Sequence, residues 1–318
     1  MSAALSLTVV VSRRAEDLLH SQSSQAYNAV LDELAVLKRS NPSLTSGEGD
    51  HPMTECATFA DDIKGQGYAF QAGWHFIDTP YLDQGGDLSD FDFTLDTEDV
   101  VDALQNLSDW LSYNGTAYKQ STYYQQIKHY FPDEAQARSF ALRLVIHYVG
   151  DVHQPLHTVA EVDYTYPEGD RGGNEEHLPS HDGVSNLHAV WDSVAYEWTG
   201  YVDLPLSSSD WSWYSSEAQT LAGQYKVDKS QLYDGDFQRW ADEGLDLAET
   251  DVYPGKLLAS FLMTSRARVG VEDDEALSDQ YVENATNIAK SRIMYGGYRL
   301  SNLLKSIYGG SEEDLFLQ

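Results

Sequence analysis

Positive charge is scarce in this sequence. Only 20 Lys and Arg stand against 51 Asp and Glu, which leaves a formal net charge of −31 over 318 residues. Affinity for duplex phosphate backbones comes from Lys and Arg displacing counterions, so a protein that reads duplex DNA sequence is not expected. There is a single cysteine, Cys56. No intrachain disulfide can form, and no thiolate-based zinc site can be built. Long apolar runs are missing too: no stretch approaches the roughly 18 residues that span a bilayer, and a membrane protein is not expected. The opening MSAALSLTVVVSRR carries an apolar run with no basic residue before it. Arg13-Arg14 stands where a small-residue cleavage site would sit, so the run does not read as a signal peptide and fits the buried face of a first helix as well.

What is present describes a globular chain. Apolar residues make up 42% and aromatics 12%, well above the composition of disordered segments. The surplus carboxylates form a solvated acidic face that favours solubility. The triplets Asn106-Leu-Ser, Asn114-Gly-Thr and Asn284-Ala-Thr would suit a secreted glycoprotein, but such triplets also arise by chance in a chain this long.

Apolar residues recur at helical spacing in several stretches. Ala15, Leu18, Leu19, Ala26, Ala29, Val30, Leu34 and Leu37 predict a helix over residues 15–39, ending before Asn41-Pro42. Thr97-Glu-Asp opens a helix through Trp110, with acidic residues in its first turn and Tyr113-Asn-Gly as its stop. Pro132-Asp-Glu starts a strongly apolar helix, and residues 274–308 read as one or two long helices. Gln84-Gly-Gly and residues 166–183, rich in Gly and Pro, are loops. The expected architecture is all-α, one mainly helical domain over residues 1–318, with a loop or short hairpin near 163–184.

The chemistry concentrates in His147-Tyr-Val-Gly-Asp-Val-His-Gln-Pro-Leu-His157. On a helix His147 and Asp151 face the same side, one turn apart. Imidazole nitrogen and carboxylate oxygen are the ligands zinc accepts when no thiolate is available. Pro155 disturbs the helix and re-aims His157. The pattern recurs at Asn186-Leu-His188-Ala-Val-Trp-Asp192. A lone His/Asp pair is usually a surface hydrogen bond. Two such pairs, the first on a greasy helix, point to metal, because a buried charge needs a partner.

Upstream lie Ala60-Asp61-Asp62-Ile-Lys64 and Trp74-His75-Phe76-Ile-Asp78. With Gly172-Gly-Asn174, Trp240-Ala-Asp-Glu243 and Gly296-Gly-Tyr-Arg-Leu300, these segments in this order resemble the zinc-dependent single-strand-specific nucleases and 3′-nucleotidases typified by mung bean nuclease. That family is related in fold to bacterial phospholipase C. The resemblance covers most of the chain, and the string from His147 to His157 is its most specific part.

The resemblance implies three zinc ions. One would take Asp61, His75, His147 and Asp151, and the second His157, His188 and Asp192. A third would share Asp151 and use an N-terminal Trp and a nearby His. This chain offers no such pair, its first His being His20. The expectation is an N-terminally incomplete sequence; the alternative is a two-zinc variant. The implied reaction is in-line attack of a zinc-bound hydroxide on phosphorus, oriented by Asp61, leaving 5′-phosphates. Lys64 would stabilise the transition state, Phe76 would stack on an unpaired base, Asp78 would bond its edge, and Asn174 would touch the nucleotide. His153 fits a supporting place rather than a ligand, and His51, His129, His177 and His181 fit the surface.

The implied partners are single-stranded nucleic acid and nucleotides, with no membrane, for a monomer that is secreted or lysosomal/vacuolar. A zinc phospholipase C, or a catalytically weak zinc-stabilised binding protein, is the alternative. Zinc also answers the charge objection, since it brings positive charge to the point of phosphate contact.

Overall fold

The computed structural model describes residues 5–83, 85–254 and 276–310. Helices dominate it. The pattern over residues 15–39 predicts one helix, but the chain forms two, α1 (Leu5–Gln22) and α2 (Ser24–Ser40). Between them Ser23 is extended, and its hydroxyl accepts the Ala26 N–H. A serine that caps an N-terminus in this way satisfies one of the donors a helix leaves open, so the apolar spacing runs through a cap. As expected, the opening apolar run is a buried helix face: Val9, Val10 and Val11 are fully buried.

Two short helices follow, α3 (Pro52–Glu55) and α4 (Phe59–Asp62), then a 3₁₀ turn Ala69–His75 and the two-residue strand β1 (Pro80–Tyr81). Helix α5 (Val100–Leu111) starts at Asp99, whose carboxylate accepts the Asp102 N–H, and α6 is Thr122–Tyr130. The pivot of the molecule is α7 (Glu134–Asp151), capped by Asp133 and buried at every position from Ala137 to Asp151. A helix apolar all round belongs in the middle of a fold. Its one fully buried cation, Arg143, makes two hydrogen bonds to the Glu48 carboxylate (2.6 and 2.7 Å) and others to Ser139 and Leu34 carbonyls.

After α7 come a 3₁₀ turn Pro155–His157, β2 (Ala160–Glu161), β3 (His177–His181), β4 (Val184–Asn186) and α8 (Leu187–Asp192). The hairpin expected near 163–184 is the antiparallel β3–β4 pair. Asp182 and Gly183, both with positive φ (49° and 86°), form its two-residue turn, the geometry that suits strand twist. Strands β1 and β2 pair in parallel, and Ile77 N–H adds a bond to His157 O. This short ladder ties the His75 segment to the His157 segment.

The remaining helices are α9 (Ser208–Gln224), α10 (Phe237–Leu247), which runs on into a π turn (Ala248–Val252), and α11 (Asp279–Tyr308), a single helix of 30 residues. The start of the last predicted segment, residues 274 and 275, lies outside the described residues, as does Gln84. Pro155 lies beyond the end of α7 and does not break it; the helix stops at Asp151, and Gln154 caps the turn that Pro155 opens. His129, His177 and His181 are exposed as expected. His51 is less exposed than expected: it is half-buried and stacked flat on Trp211, with ring centroids 3.4 Å apart. Among the described residues no helix is long and apolar enough to cross a membrane.

Helix α1 is clamped between α7 and α11 by glycines. A Cβ at Gly297 would meet the Arg14 side chain at 2.6 Å, and one at Gly150 would meet Thr8 Cγ2 at 2.5 Å and Thr8 Cα at 3.2 Å. Gly150 therefore lets the first turn of α1 lie against the end of α7, beside Asp151. Gly150→Val should destabilise the protein by about 1–3 kcal/mol, the usual cost of overpacking. Urea unfolding of the full chain measures it, and an unchanged midpoint would mean that α1 yields freely.

Candidate metal centre

Five segments bring imidazoles and carboxylates to one place, three of them for the first group. Asp61 lies in α4 one residue before its end, His75 ends the 3₁₀ turn, and His147 and Asp151 occupy the last two turns of α7. His75 Nδ1 and His147 Nε2 both approach Asp151 Oδ2, at 2.8 and 3.1 Å. Those two nitrogens are 3.1 Å apart, and the Asp61 oxygens stand 3.8 and 3.7 Å from them. A second group lies alongside. His157 Nε2 is 3.9 Å from Asp192 Oδ1, and His188 Nε2 is 3.4 Å from Asp192 Oδ2.

Both groups open into one cleft of about 270 Å³, lined also by Lys64, Phe76 and Asn174. The structure thus brings all seven sequence-predicted ligands together.

Which nitrogen faces the cleft is decided outside it. His147 Nδ1 lies 2.6 Å from Ala57 O, His157 Nδ1 2.9 Å from His75 O, and His188 Nδ1 2.7 Å from Gly172 O. A carbonyl only accepts, so each Nδ1 donates and each Nε2 is left to face its group. A ligating histidine is normally oriented by such a bond through its other nitrogen. Gly172 is needed for its part. Its φ is +59°, and a Cβ there would strike Leu156 O at 2.1 Å.

Charge tells the same story. Burial opposes ionisation of Asp61, Asp151 and Asp192, yet facing imidazoles outweigh it and hold all three carboxyls below their ordinary value, Asp151 far below. Burial pushes the His75 pKa down to about 4 and lowers that of His188, so both rings are neutral donors. Burial also works against protonating His157, but Asp151 and Asp192 overcome it and push its pKa up to about 9; His147 is raised as well, by Asp151 and Asp61. The carboxylates thus draw protons onto two ring nitrogens that point inward. A pair of inward-facing imidazole nitrogens 3.1 Å apart, ringed by anionic oxygens, has the donor chemistry of a divalent-cation site built from nitrogen and oxygen ligands. The residues fit such a metal.

The remaining candidates stand around this centre. Lys64 Nζ donates to Asp61 Oδ1 at 2.7 Å. Asn174 is exposed, and its amide donates to Arg171 O. Asp78 is half-buried beside the cleft. Burial, with Asp96 and Asp170 nearby, pushes its carboxyl up to about 7, so it can donate as well as accept. His153 takes no part in either group. Its Nδ1 donates to Val149 O, and its Nε2 accepts from Arg299, which with Arg292 is bound to Glu243.

The sequence profile of the S1/P1 nuclease family matches residues 9–309. The chain belongs to the S1/P1 nuclease family. It is 27% identical over 288 residues to Endonuclease 2 of Arabidopsis thaliana, covering 88% of this chain and 85% of that protein. Over 178 residues it is 29% identical to Nuclease P1 of Penicillium citrinum, covering 53% and 58%. Membership assigns this S1/P1-type chain to the nucleases, hydrolases of phosphodiester bonds.

In this S1/P1-type chain, two groups able to hold a metal assemble among the described residues. The cleft wall beside Asp151 is made by Leu7 and Thr8 of α1, and residues 1–4 lie outside the described residues. Sequence reasoning missed Gln154, which is buried with its amide on Asp192 Oδ1 at 2.9 Å and its own oxygen on Leu156 N–H. Its place inside the His147–His157 string was the available signal. The orienting carbonyls of Ala57, His75 and Gly172 left no signal at all, since every residue carries one.

His157 yields a pH prediction for the metal-free protein. Its folded pKa, about 9, exceeds the ordinary 6.5. Its contribution is therefore complete below pH 6.5 and is lost as pH rises through 9. At 1.36 kcal/mol per pH unit the loss is about 3 kcal/mol. Urea unfolding of metal-free protein at both ends of that window measures it, and equal stabilities would contradict a protonated His157.

Proposed function

We propose that the protein is a zinc-dependent phosphodiesterase that cuts single-stranded DNA or RNA and also removes phosphate from 3′-nucleotides, leaving 5′-phosphate ends. One observation carries the proposal: two inward-facing His/Asp groups share a cleft with a lysine and an aromatic ring. The first zinc would be held by Asp61, His75, His147 and Asp151, and the second by His157, His188 and Asp192. Zinc bound there would supply Lewis acidity to the phosphate and bring the pKa of water toward neutrality. A third ion sharing Asp151 belongs to the same proposal.

The chain's own residues do the rest. Asp61, kept ionised chiefly by His147 and by Lys64, orients the attacking water and accepts its hydrogen bond. The water oxygen bonds to phosphorus and releases a proton to solvent as the bond from phosphorus to the 3′-oxygen breaks, and the departing 3′-oxygen takes up a proton from solvent. Lys64, on the Asp61 rim, puts a full positive charge where negative charge accumulates on phosphorus. Phe76 offers a ring to a base, and a base can lie on it only when it is unpaired and unstacked, which accounts for single-strand preference without sequence reading. Asp78, near its midpoint at neutral pH, bonds the base edge, and Asn174 contacts the nucleotide from its glycine-rich loop. A local cation site also lets a chain of charge −31 engage a polyanion.

Metal analysis after dialysis, followed by assays on single-stranded DNA, duplex DNA, a 3′-nucleotide and phosphatidylcholine, tests the proposal. Zinc retention with turnover of the first and third substrates is expected. Hydrolysis of phosphatidylcholine alone would make the protein a phospholipase C, and zinc without any turnover would make it a binding protein. Lys64→Met should lower kcat on single-stranded DNA by roughly 100- to 1,000-fold, the range seen when one transition-state donor is lost. Phe76→Ala should instead raise KM by about 5- to 150-fold, the worth of one stacked base. Steady-state kinetics separates the two.

A further inference from the structure

Gln71 sits in the 3₁₀ turn that ends at His75 and is fully buried. Nothing in the proposed reaction calls on it. Yet its side-chain amide bonds three segments, and each of them carries a cleft residue. Its nitrogen donates to the carbonyl of Ala60, the residue before Asp61, at 2.7 Å. Its oxygen lies 2.7 Å from His75 Nε2 and accepts the hydroxyl of Tyr148, the residue after His147, at 2.6 Å.

These partners allow the amide one orientation. The Ala60 carbonyl can only accept, so it must face the NH₂ group. The oxygen then faces the ring and the hydroxyl, and His75 Nε2 must carry the proton that reaches it. A neutral imidazole has one such proton. His75 Nδ1 is therefore bare, and Nδ1 is the atom that stands 2.8 Å from Asp151 and 3.1 Å from His147 Nε2. The other three cleft imidazoles are oriented by backbone carbonyls and face inward with Nε2. His75 is turned the other way round, and its orienting acceptor is a side chain.

We propose that Gln71 is the positioning residue of the Asp61–His75–His147 group: it selects the His75 tautomer that leaves Nδ1 free for a metal and registers the three ligand segments against one another. This rests on the metal-dependent reading above. A chain of constraint runs from the Ala60 carbonyl to the amide, from the amide to the ring proton, and from that proton to the ligand atom. A residue that merely filled space would leave the proton of the His75 ring free to sit on either nitrogen. A tautomer selector holds it on Nε2.

The test compares full-length Gln71→Met, which keeps the length of the side chain and loses its hydrogen bonds, with the unaltered protein. Zinc is titrated against graded chelator, and His188→Ala identifies the step belonging to the other group. In Gln71→Met the Asp61–His75–His147 step should weaken by roughly 10- to 100-fold, as when an orienting partner of a metal ligand is lost, while the His157–His188–Asp192 step stays in place. Equal weakening of both steps, or of neither, overturns the proposal. Should Gln71→Met fail to fold, nitrogen-detected NMR of the unaltered protein decides. A proton on His75 Nε2 in both zinc-free and zinc-loaded protein is expected, and a proton on Nδ1 in the zinc-free state overturns it. An unaltered protein that binds no zinc would defeat the functional reading itself, a result distinct from zinc binding in which Gln71 plays no selective part.

Discussion

Three of the four imidazoles in the cleft spend one ring nitrogen on a backbone carbonyl, and the fourth spends it on a buried amide. The rest of the site follows from that expenditure. Giving one N–H to an outer acceptor turns the other nitrogen of each ring toward the carboxylates, which without a cation draw a proton onto it in His147 and His157. Ring orientation is settled before any cation arrives, and a cation displaces those protons. The acceptors are themselves parts of the scaffold: Ala57 precedes α4, Gly172 lies in a turn no larger residue can adopt, and His75 O belongs to the segment its neighbouring group depends on.

The fold supports this arrangement by burying its middle. Helix α7 is buried on all sides from Ala137 onward, so its last two turns can present His147 and Asp151 only into a space shaped by other elements. Helix α1 closes one side through the Gly150 contact, and the β1–β2 ladder with the Ile77–His157 bond closes another. Beneath the turn after α7, Arg292 and Arg299 converge on Glu243, while Arg292 also donates to His153 O. Buried charge of this kind is costly unless fully paired, and here each member has its partner. The turn carrying Asp151, Gln154 and His157 is thus held from behind as well as from the sides.

Electrostatics explains how an acidic protein can work on an anion. Three ionised carboxylates converge on the cleft, and without a cation they draw protons onto His147 and His157. The same charges that would repel a phosphate are the ones that concentrate positive charge at the contact. Elsewhere some acidic residues are buried and bonded, as Glu48 is to Arg143.

Four of the seven predicted ligands were legible from spacing, because His and Asp four apart are rare on a greasy helix and recur at Asn186-Leu-His188-Ala-Val-Trp-Asp192; Asp61, His75 and His157 entered the set through the family resemblance. The helix starts near Thr97-Glu-Asp and Pro132-Asp-Glu and the hairpin near 163–184 were readable too, since helix starts and turns favour those residue types; the exact caps at Asp99 and Asp133 and the Asp182-Gly183 turn came from the structure. The break at Ser23 was not readable, because apolar spacing continues across it and only packing shows where one helix stops. Nor were the stacked His51, the acidic surroundings of Asp78, or the tasks of Gln71 and Gln154. Sequence by itself determined which His and Asp residues were candidates to hold a metal, through residue type, spacing and the family resemblance. Tertiary structure alone decided which nitrogen of each ring faces the cleft and what charge it carries, because both depend on carbonyls and carboxylates far away along the chain.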